Sequence, residues 1–189
     1  MSKAKLYRIT IKVHPAVWRY IDNNYPVKKG AYDLSRSVYY YLVTAMLYQS
    51  RVRMPSQLCR KYEEYKPMTV MITEFDFYHY GFQSSELQQC RLSRNILHLI
   101  VDDACRRIAQ ARVVFGVPVT TAIDHYLIDN GYEEGELDAE YLRSVYKRKY
   151  RGYEQELETW FRNAVTDWGY NDEKFEKKHV GIFPNHFKA

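Results

Sequence analysis

Residues 7–13 read Y-R-I-T-I-K-V, so that Ile9, Ile11 and Val13 alternate with Arg8, Thr10 and Lys12. A period of two is the pattern of a strand with one apolar and one polar face. Directly after it, His14 and Pro15 supply an N-cap and a first helical position, and Val17, Ile21 and Tyr25 fall on one face of a short helix. Asn23, Asn24 and Pro26 end that helix. A loop over residues 27–32 carries Lys28, Lys29 and Gly30, and residues 33–37 open a second helix. Its expected core face is Leu34, Val38, Tyr41, Leu42, Ala45 and Met46, which recur at helical spacing. This order constrains everything else. A lone strand-helix-helix unit cannot bury its apolar face, so the strand has to pair, either with another segment of its own chain or with a second copy.

Charge is concentrated in the same region. The first 66 residues carry a net +9 and the remaining 123 a net −4, which together give the chain's +5. A basic module of this size attracts polyanions, nucleic acid foremost. The chain is 46% apolar and 27% charged, the balance of a folded protein. No apolar run approaches the roughly 20 residues of a membrane span, and the first residues lack the apolar stretch of a signal peptide. A soluble, cytoplasmic protein with no membrane partner is expected. Cys59, Cys90 and Cys105 are odd in number and lack CxxC spacing, which fits a reducing compartment, gives no zinc signature and excludes a disulfide scaffold.

Further along, residues 51–67 read as a connector. Residues 69–75, T-V-M-I-T-E-F, form a second strand pattern that could run on through residues 76–80. A long helix follows from Ser84 or Ser85 to about Arg112, with Leu92, Ile96, Ile100, Ala104 and Ile108 on one stripe, and Gly116 and Pro118 break it. Thr120 or Thr121 caps a short helix that Gly131 terminates, an acidic turn spans residues 133–140, and a helix starts near Leu137. The last helix has a wide apolar face of Leu157, Trp160, Phe161, Ala164, Val165 and Trp168. L-S-R-S-V-Y-Y-Y-L-V at 34–43 resembles L-S-R-N-I-L-H-L-I-V at 92–101, a weak internal repeat in which each copy follows a strand.

The first 50 residues resemble the ribbon-helix-helix family of DNA-binding proteins, which includes the Arc and CopG repressors. The resemblance rests on the strand R-I-T-I-K-V, the helix beginning H-P-A-V, and L-S-R-S at the second helix. It implies two antiparallel strands entering the major groove, with Arg8, Thr10 and Lys12 on base edges and Ile9, Ile11 and Val13 in the core. The chemistry agrees: Arg and Lys donate to guanine, and Thr can hydrogen-bond or touch a thymine methyl. Ser35, Arg36 and Ser37 begin a helix whose free N–H groups suit a phosphate, and Lys28 and Lys29 could add backbone contacts. If residues 68–112 form a second, degenerate unit, Thr69, Met71 and Thr73 face outward without a basic residue, Leu92-Ser93-Arg94-Asn95 opens the equivalent helix, Glu74 replaces Val13, and Gly81 interrupts the short helix.

The expected organisation is mainly α with a short antiparallel β ribbon: a ribbon-helix-helix unit at 1–50, a connector at 51–67, the degenerate unit at 68–112, a helical region at 113–169 and a tail at 170–189. The helix over residues 138–152 interleaves Arg143, Lys147, Arg148, Lys149 and Arg151 with Tyr141, Tyr146 and Tyr150, a pattern of a solvated face balanced by the acidic turn, of a helix-turn-helix-like element or of a second phosphate stripe. His98 and Asp102 are four apart, but two ligands do not make a metal site, and a core histidine is the expectation. No phosphate loop, HExxH or GxSxG occurs, and His14 and the cysteines show no nucleophile-base pattern, so neither enzyme activity nor a cofactor is expected. The reading is a sequence-specific double-stranded DNA-binding protein, a transcriptional repressor or a plasmid or mobile-element accessory factor, acting as a homo-oligomer with a protein partner for its C-terminal helices. The alternative is a structural or adaptor protein such as a phage virion or packaging component, whose 19 tyrosines form interfaces. A single-strand binder that stacks bases on tyrosine is a third class.

Overall fold

A computed structural model of the chain describes residues 5–49, 62–80 and 84–167. Elements follow in the order β1 (Leu6–Val13), α1 (Pro15–Asn24), β2 (Val27–Lys28), β3 (Ala31–Tyr32), α2 (Val38–Gln49), a 3-10 turn (Tyr62–Glu64), β4 (Lys66–Thr73), α3 (Glu74–Tyr80), α4 (Glu86–Phe115), α5 (Val119–Asp129), α6 (Ala139–Lys149) and α7 (Arg151–Asp167). The described chain is mainly helical with one small mixed sheet. Two compact units divide it: Met1–Asp102 with Leu127–Asp138, and Asp103–Tyr126 with Ala139–Ala189. Among the described residues no helix is long and apolar enough to cross a membrane.

In the first unit the sheet order is β1-β4-β3-β2. β1 pairs antiparallel with β4 of the same chain along its whole length, from Leu6 opposite Thr73 to Val13 opposite Lys66. The partner that β1 needs is therefore internal. The inward row of this ribbon consists of Ile9, Ile11 and Val13 with Met68, Val70 and Ile72, all buried. They join Val17, Ile21, Leu34, Val43, Leu47, Leu92, Ile96 and Ile100 in one core. Burying six such strand side chains contributes on the order of 10 kcal/mol before chain entropy is counted.

The helices follow their local signals. His14 caps α1 by accepting the Ala16 N–H at 3.2 Å, and Pro15 takes the first helical position. α4 starts with a reciprocal cap, in which the Ser85 amide donates to Gln88 at 2.8 Å and the Gln88 amide to Ser85 Oγ at 3.3 Å. It ends at Gly116, whose φ of 67° places it in the left-handed region, with the Val117 amide reaching back to the Ala111 carbonyl at 3.3 Å. The stripe Leu92, Ile96, Ile100, Ala104 and Ile108 is buried throughout, as its spacing predicts.

Several expectations are corrected. The loop at 27–32 is a β-hairpin in which Lys29 and Gly30, at φ 51° and 76°, form the two-residue turn. Residues 74–80 are helical: Thr73 and Asp76 cap each other, the Asp76 amide donating to Thr73 Oγ1 at 3.1 Å and that hydroxyl to the Asp76 carboxylate at 2.5 Å. A short helix thus follows β4 directly, and Glu74 begins it instead of standing in the strand. α2 buries Tyr39, Val43, Met46 and Leu47, leaving Val38, Tyr41 and Ala45 exposed. The motif at 92–95 lies inside α4 and does not open it. Cys90 is disulfide-bonded, which the odd cysteine count did not suggest, whereas Cys105 is a buried free thiol. His98 is exposed and not a core histidine. Most of the connector, the tail and the Ala164, Val165 and Trp168 positions of the last apolar face lie outside the residues whose side chains are described.

The acidic turn has a structural task within the first unit. Glu136, only 7% exposed, accepts from Arg19 Nε at 2.9 Å, from Lys66 Nζ at 2.9 Å and from the Glu133 amide at 3.1 Å. Arg19 also pairs with Glu133, and the Lys66 ammonium lies 5.0 Å from the Trp18 ring centroid. Gly131, at φ 62°, sits so close to Asn23 that a Cβ would come within 2.8 Å of its Nδ2. The turn therefore pins α1 and the start of β4 through Glu133 and Glu136, while its Glu140 pairs with Arg143 of α6.

The second unit holds Ala104, Cys105, Ile108, Ala109, Ala122, Ile123, Tyr126, Leu142, Val145 and Tyr146 as buried side chains. The Tyr146 hydroxyl donates to the buried Glu154, which also pairs with Arg112 at 3.2 Å. Burial first, then the adjacent Glu154, pushes the Tyr146 phenol well above its ordinary value. On α7, Trp160 and Phe161 are exposed.

Burial opposes ionisation of Glu136, but the hydrogen bonds from Arg19, Lys66 and the Glu133 amide outweigh it and hold its carboxyl down at about 2. A depressed folded-state pKa stabilises the fold above the unfolded value near 4.5, and the contribution is lost as pH falls towards 2. Glu136→Gln is expected to lower stability by about 2–3 kcal/mol at pH 7. In urea unfolding the gap between variant and parent should narrow steadily from pH 5 to pH 3.

Candidate nucleic-acid interface

Because successive strand residues point to opposite faces, burying Ile9, Ile11 and Val13 forces Arg8, Thr10 and Lys12 outward. All three are exposed. The row spans about 14 Å from Arg8 to Lys12 at strand rise. Opposite them on β4 stand Met71 against Arg8, Thr69 against Thr10 and Pro67 against Lys12. The Thr10 and Thr69 hydroxyls are hydrogen-bonded at 2.9 Å, which fixes both side chains at the middle of the face. Pro67 is exposed, Thr69 half-buried and Met71 buried. At the end of the row, the Thr73 amide donates to the Tyr40 hydroxyl at 3.1 Å, and Tyr40 in turn donates to Asp76.

β1 lies at the sheet edge, where unpaired backbone groups would invite another strand. Two side chains of α4 meet this edge. The Lys12 amide donates to Gln89 Oε1 at 2.7 Å, and the His14 amide to Ser93 Oγ at 2.7 Å. Four helical residues rise about 6 Å and two strand residues about 6.8 Å, so an i, i+4 pair on α4 matches alternate amides of β1. Sequence reasoning missed this pair; its only signal was two polar residues at helical spacing beside the Leu92 stripe.

A continuous aromatic cluster adjoins the start of β1. Tyr7 stacks on Phe77 with centroids 4.2 Å apart, and its hydroxyl meets that of Tyr78 at 3.0 Å. Lys5 Nζ lies 5.3 Å from the Tyr7 centroid, and its hydrogen bond to Tyr7, followed by the nearby Glu74, raises the ammonium pKa. The outward ribbon face thus carries cations at Arg8 and Lys12, while Lys5, ahead of β1, lies over the Tyr7 ring.

The expected phosphate contacts are arranged differently. Lys28 pairs with Asp33 at 2.7 Å, and Ser35 donates to the same carboxylate through its hydroxyl at 2.7 Å and its amide at 3.2 Å. The Lys28 hydrogen bond first, then those from Ser35, hold the Asp33 carboxyl at about 2. Ser37 donates its hydroxyl to the Leu34 carbonyl at 2.9 Å. An internal carboxylate therefore occupies the donors that sequence reasoning assigned to a phosphate, and residues 35–37 form a turn ahead of α2. Lys29 and Arg36 are exposed. Lys28 and Lys29 belong to the hairpin at the sheet edge opposite β1, about 14 Å away across three strand spacings. The geometry brings Arg8, Thr10 and Lys12 together on one row and places Lys28 and Lys29 at the opposite edge of the sheet, while Ser35, Arg36 and Ser37 lie in the turn ahead of α2. Of the basic helix residues, Lys147, Arg148 and Lys149 are exposed on α6.

No protein-family model, curated protein or solved structure matches this chain.

Ser93 is fully buried and its hydroxyl takes the His14 amide. Ser93→Ala leaves that N–H without its acceptor and is expected to cost about 1–3 kcal/mol. Urea unfolding measures it, and amide exchange at His14 should accelerate by at least the same factor.

Proposed function

We propose that the protein binds double-stranded DNA in a sequence-specific manner by laying the β1/β4 ribbon into the major groove. The observation that carries this reading is the row Arg8, Thr10 and Lys12, exposed on one face of an antiparallel ribbon whose other face is buried. A two-stranded ribbon fits a groove about 12 Å wide, and Arg, Lys and Thr supply the donors and the methyl that base edges recognise. The topology adds support to the ribbon-helix-helix resemblance. Strand, helix and helix recur as β1, α1, α2, with the β2/β3 hairpin inserted between the two helices, and as β4, α3, α4, with β1 and β4 paired to each other.

Phosphate contacts position such a ribbon without specifying sequence. Lys29 and Arg36 are the exposed cations for that role, and Lys28 with Ser35 would join them on release from Asp33. The hairpin's distance from β1 is comparable to the width of the groove, which suits a contact at its rim. A repressor and an accessory factor at a plasmid or mobile-element origin both fit this surface. The adaptor reading draws its support from Phe75, Tyr78, Tyr41, Trp160 and Phe161, large apolar side chains left exposed on α3, α2 and α7.

Fluorescence-anisotropy titration with duplex DNA at 50 and 200 mM salt tests the proposal. Arg8→Ala with Lys12→Ala should weaken binding to a preferred duplex by about 2–5 kcal/mol and flatten its sequence preference. Unchanged affinity and preference in the double variant would overturn the ribbon model. Absence of duplex affinity, with a stable ring or complex in size exclusion with light scattering, would favour the adaptor.

A further inference from the structure

We infer that one chain is a complete reading unit whose duplex target has no two-fold symmetry; the inference rests on the major-groove reading above. A ribbon made from two copies of one strand presents the same side chains twice, related by a dyad, and so reads a palindrome. Here the strands differ. β1 presents Arg8, Thr10 and Lys12, whereas the residues opposite them on β4 are Met71, Thr69 and Pro67. Pro67 has no donor and Met71 is buried, while Thr69 and Thr10 share one hydroxyl–hydroxyl hydrogen bond and are equivalent in it, so the asymmetry lies in Arg8 and Lys12. Hydrogen-bonding capacity towards base edges therefore comes almost wholly from one strand.

That strand also has a direction. Arg8 offers a planar fork suited to a bidentate contact with guanine, and Lys12, about 14 Å away, an ammonium that acts as a point charge. At a rise of 3.4 Å per base pair, the row covers roughly four base pairs, with inequivalent groups at its two ends. No second copy is needed to finish the ribbon, since β1 is paired along its full length and its Lys12 and His14 amides are taken by Gln89 and Ser93. Self-association through other surfaces would repeat this unit on the DNA without making any one unit symmetric.

Selection of the full-length chain against a randomised duplex library, followed by native mass spectrometry on the enriched duplex trimmed to its minimal length, tests the inference. The expected result is a short motif without dyad symmetry, bound by one chain. Arg8→Ala and Lys12→Ala should each relax preference at a different end of the motif, lowering affinity for the parent sequence about 5- to 100-fold. A palindromic motif whose minimal duplex holds two chains would overturn this inference while leaving the DNA-binding reading in place. No enrichment, together with no duplex affinity at low salt, would overturn both.

Discussion

The antiparallel pairing of β1 with β4 is the interaction on which the first unit depends. Neither strand is stable alone, since two-stranded ribbons need a covered apolar face. The face here is covered by side chains from α1, α2 and α4, which the same pairing brings together. The strands lie 60 residues apart in sequence, so closing this loop costs entropy that the buried row must offset. Once formed, the ribbon also determines which side chains meet solvent. The outward position of Arg8, Thr10 and Lys12 follows from the burial of Ile9, Ile11 and Val13 and needs no separate cause.

Polar contacts then convert this two-layer packing into a fixed arrangement. Gln89 and Ser93 cover the edge of β1, Tyr40 ties α2 to the start of α3, and the Tyr32 hydroxyl donates to Asp22 at 2.6 Å, joining the hairpin to α1. Burial and the Asp22 contact push the Tyr32 phenol up to about 12, so the hydroxyl stays a donor at physiological pH. Glu136 draws Arg19 and Lys66 together from α1 and β4. Two of the cations that make the N-terminal region so basic are thus used internally, as is Lys28 by Asp33. The net +9 overstates the charge offered to a polyanion, and the ribbon row is where the exposed cations Arg8 and Lys12 stand beside Thr10 in the proposed reading surface.

Elements with a clean period were legible in the sequence. The alternation at 7–13, the His14-Pro15 start and the Leu92 to Ile108 stripe each admit one arrangement, and the structure has it. α2 did not reveal its face because V-Y-Y-Y-L-V-T-A-M-L is apolar all round, so that packing, not periodicity, chooses Tyr39, Val43 and Leu47 over Val38 and Tyr41. The helix at 74–80 is rich in aromatic residues that equally suit a strand, and the deciding Thr73–Asp76 cap looks unremarkable in sequence. Of the candidate site, the strand row followed from alternation. The fate of Lys28 and Ser35 did not, because a carboxylate two residues away can fill a helix-start anion site as well as a phosphate can. Long-range partners such as Gln89 for Lys12, or Glu136 for Arg19, have no local signature.

A single chain builds the ribbon, and the proposed function requires that the ribbon's outward face meet DNA. Amide chemical shifts of the isotope-labelled full-length protein, followed while unlabelled duplex DNA is added, address both together. Cross-strand contacts between residues 6–13 and 66–73 of one chain are expected, with DNA-induced shifts concentrated at Arg8, Thr10, Lys12 and Thr69. Shifts confined to α6 or α7, with residues 8–12 unmoved at saturating duplex, would contradict the proposed function.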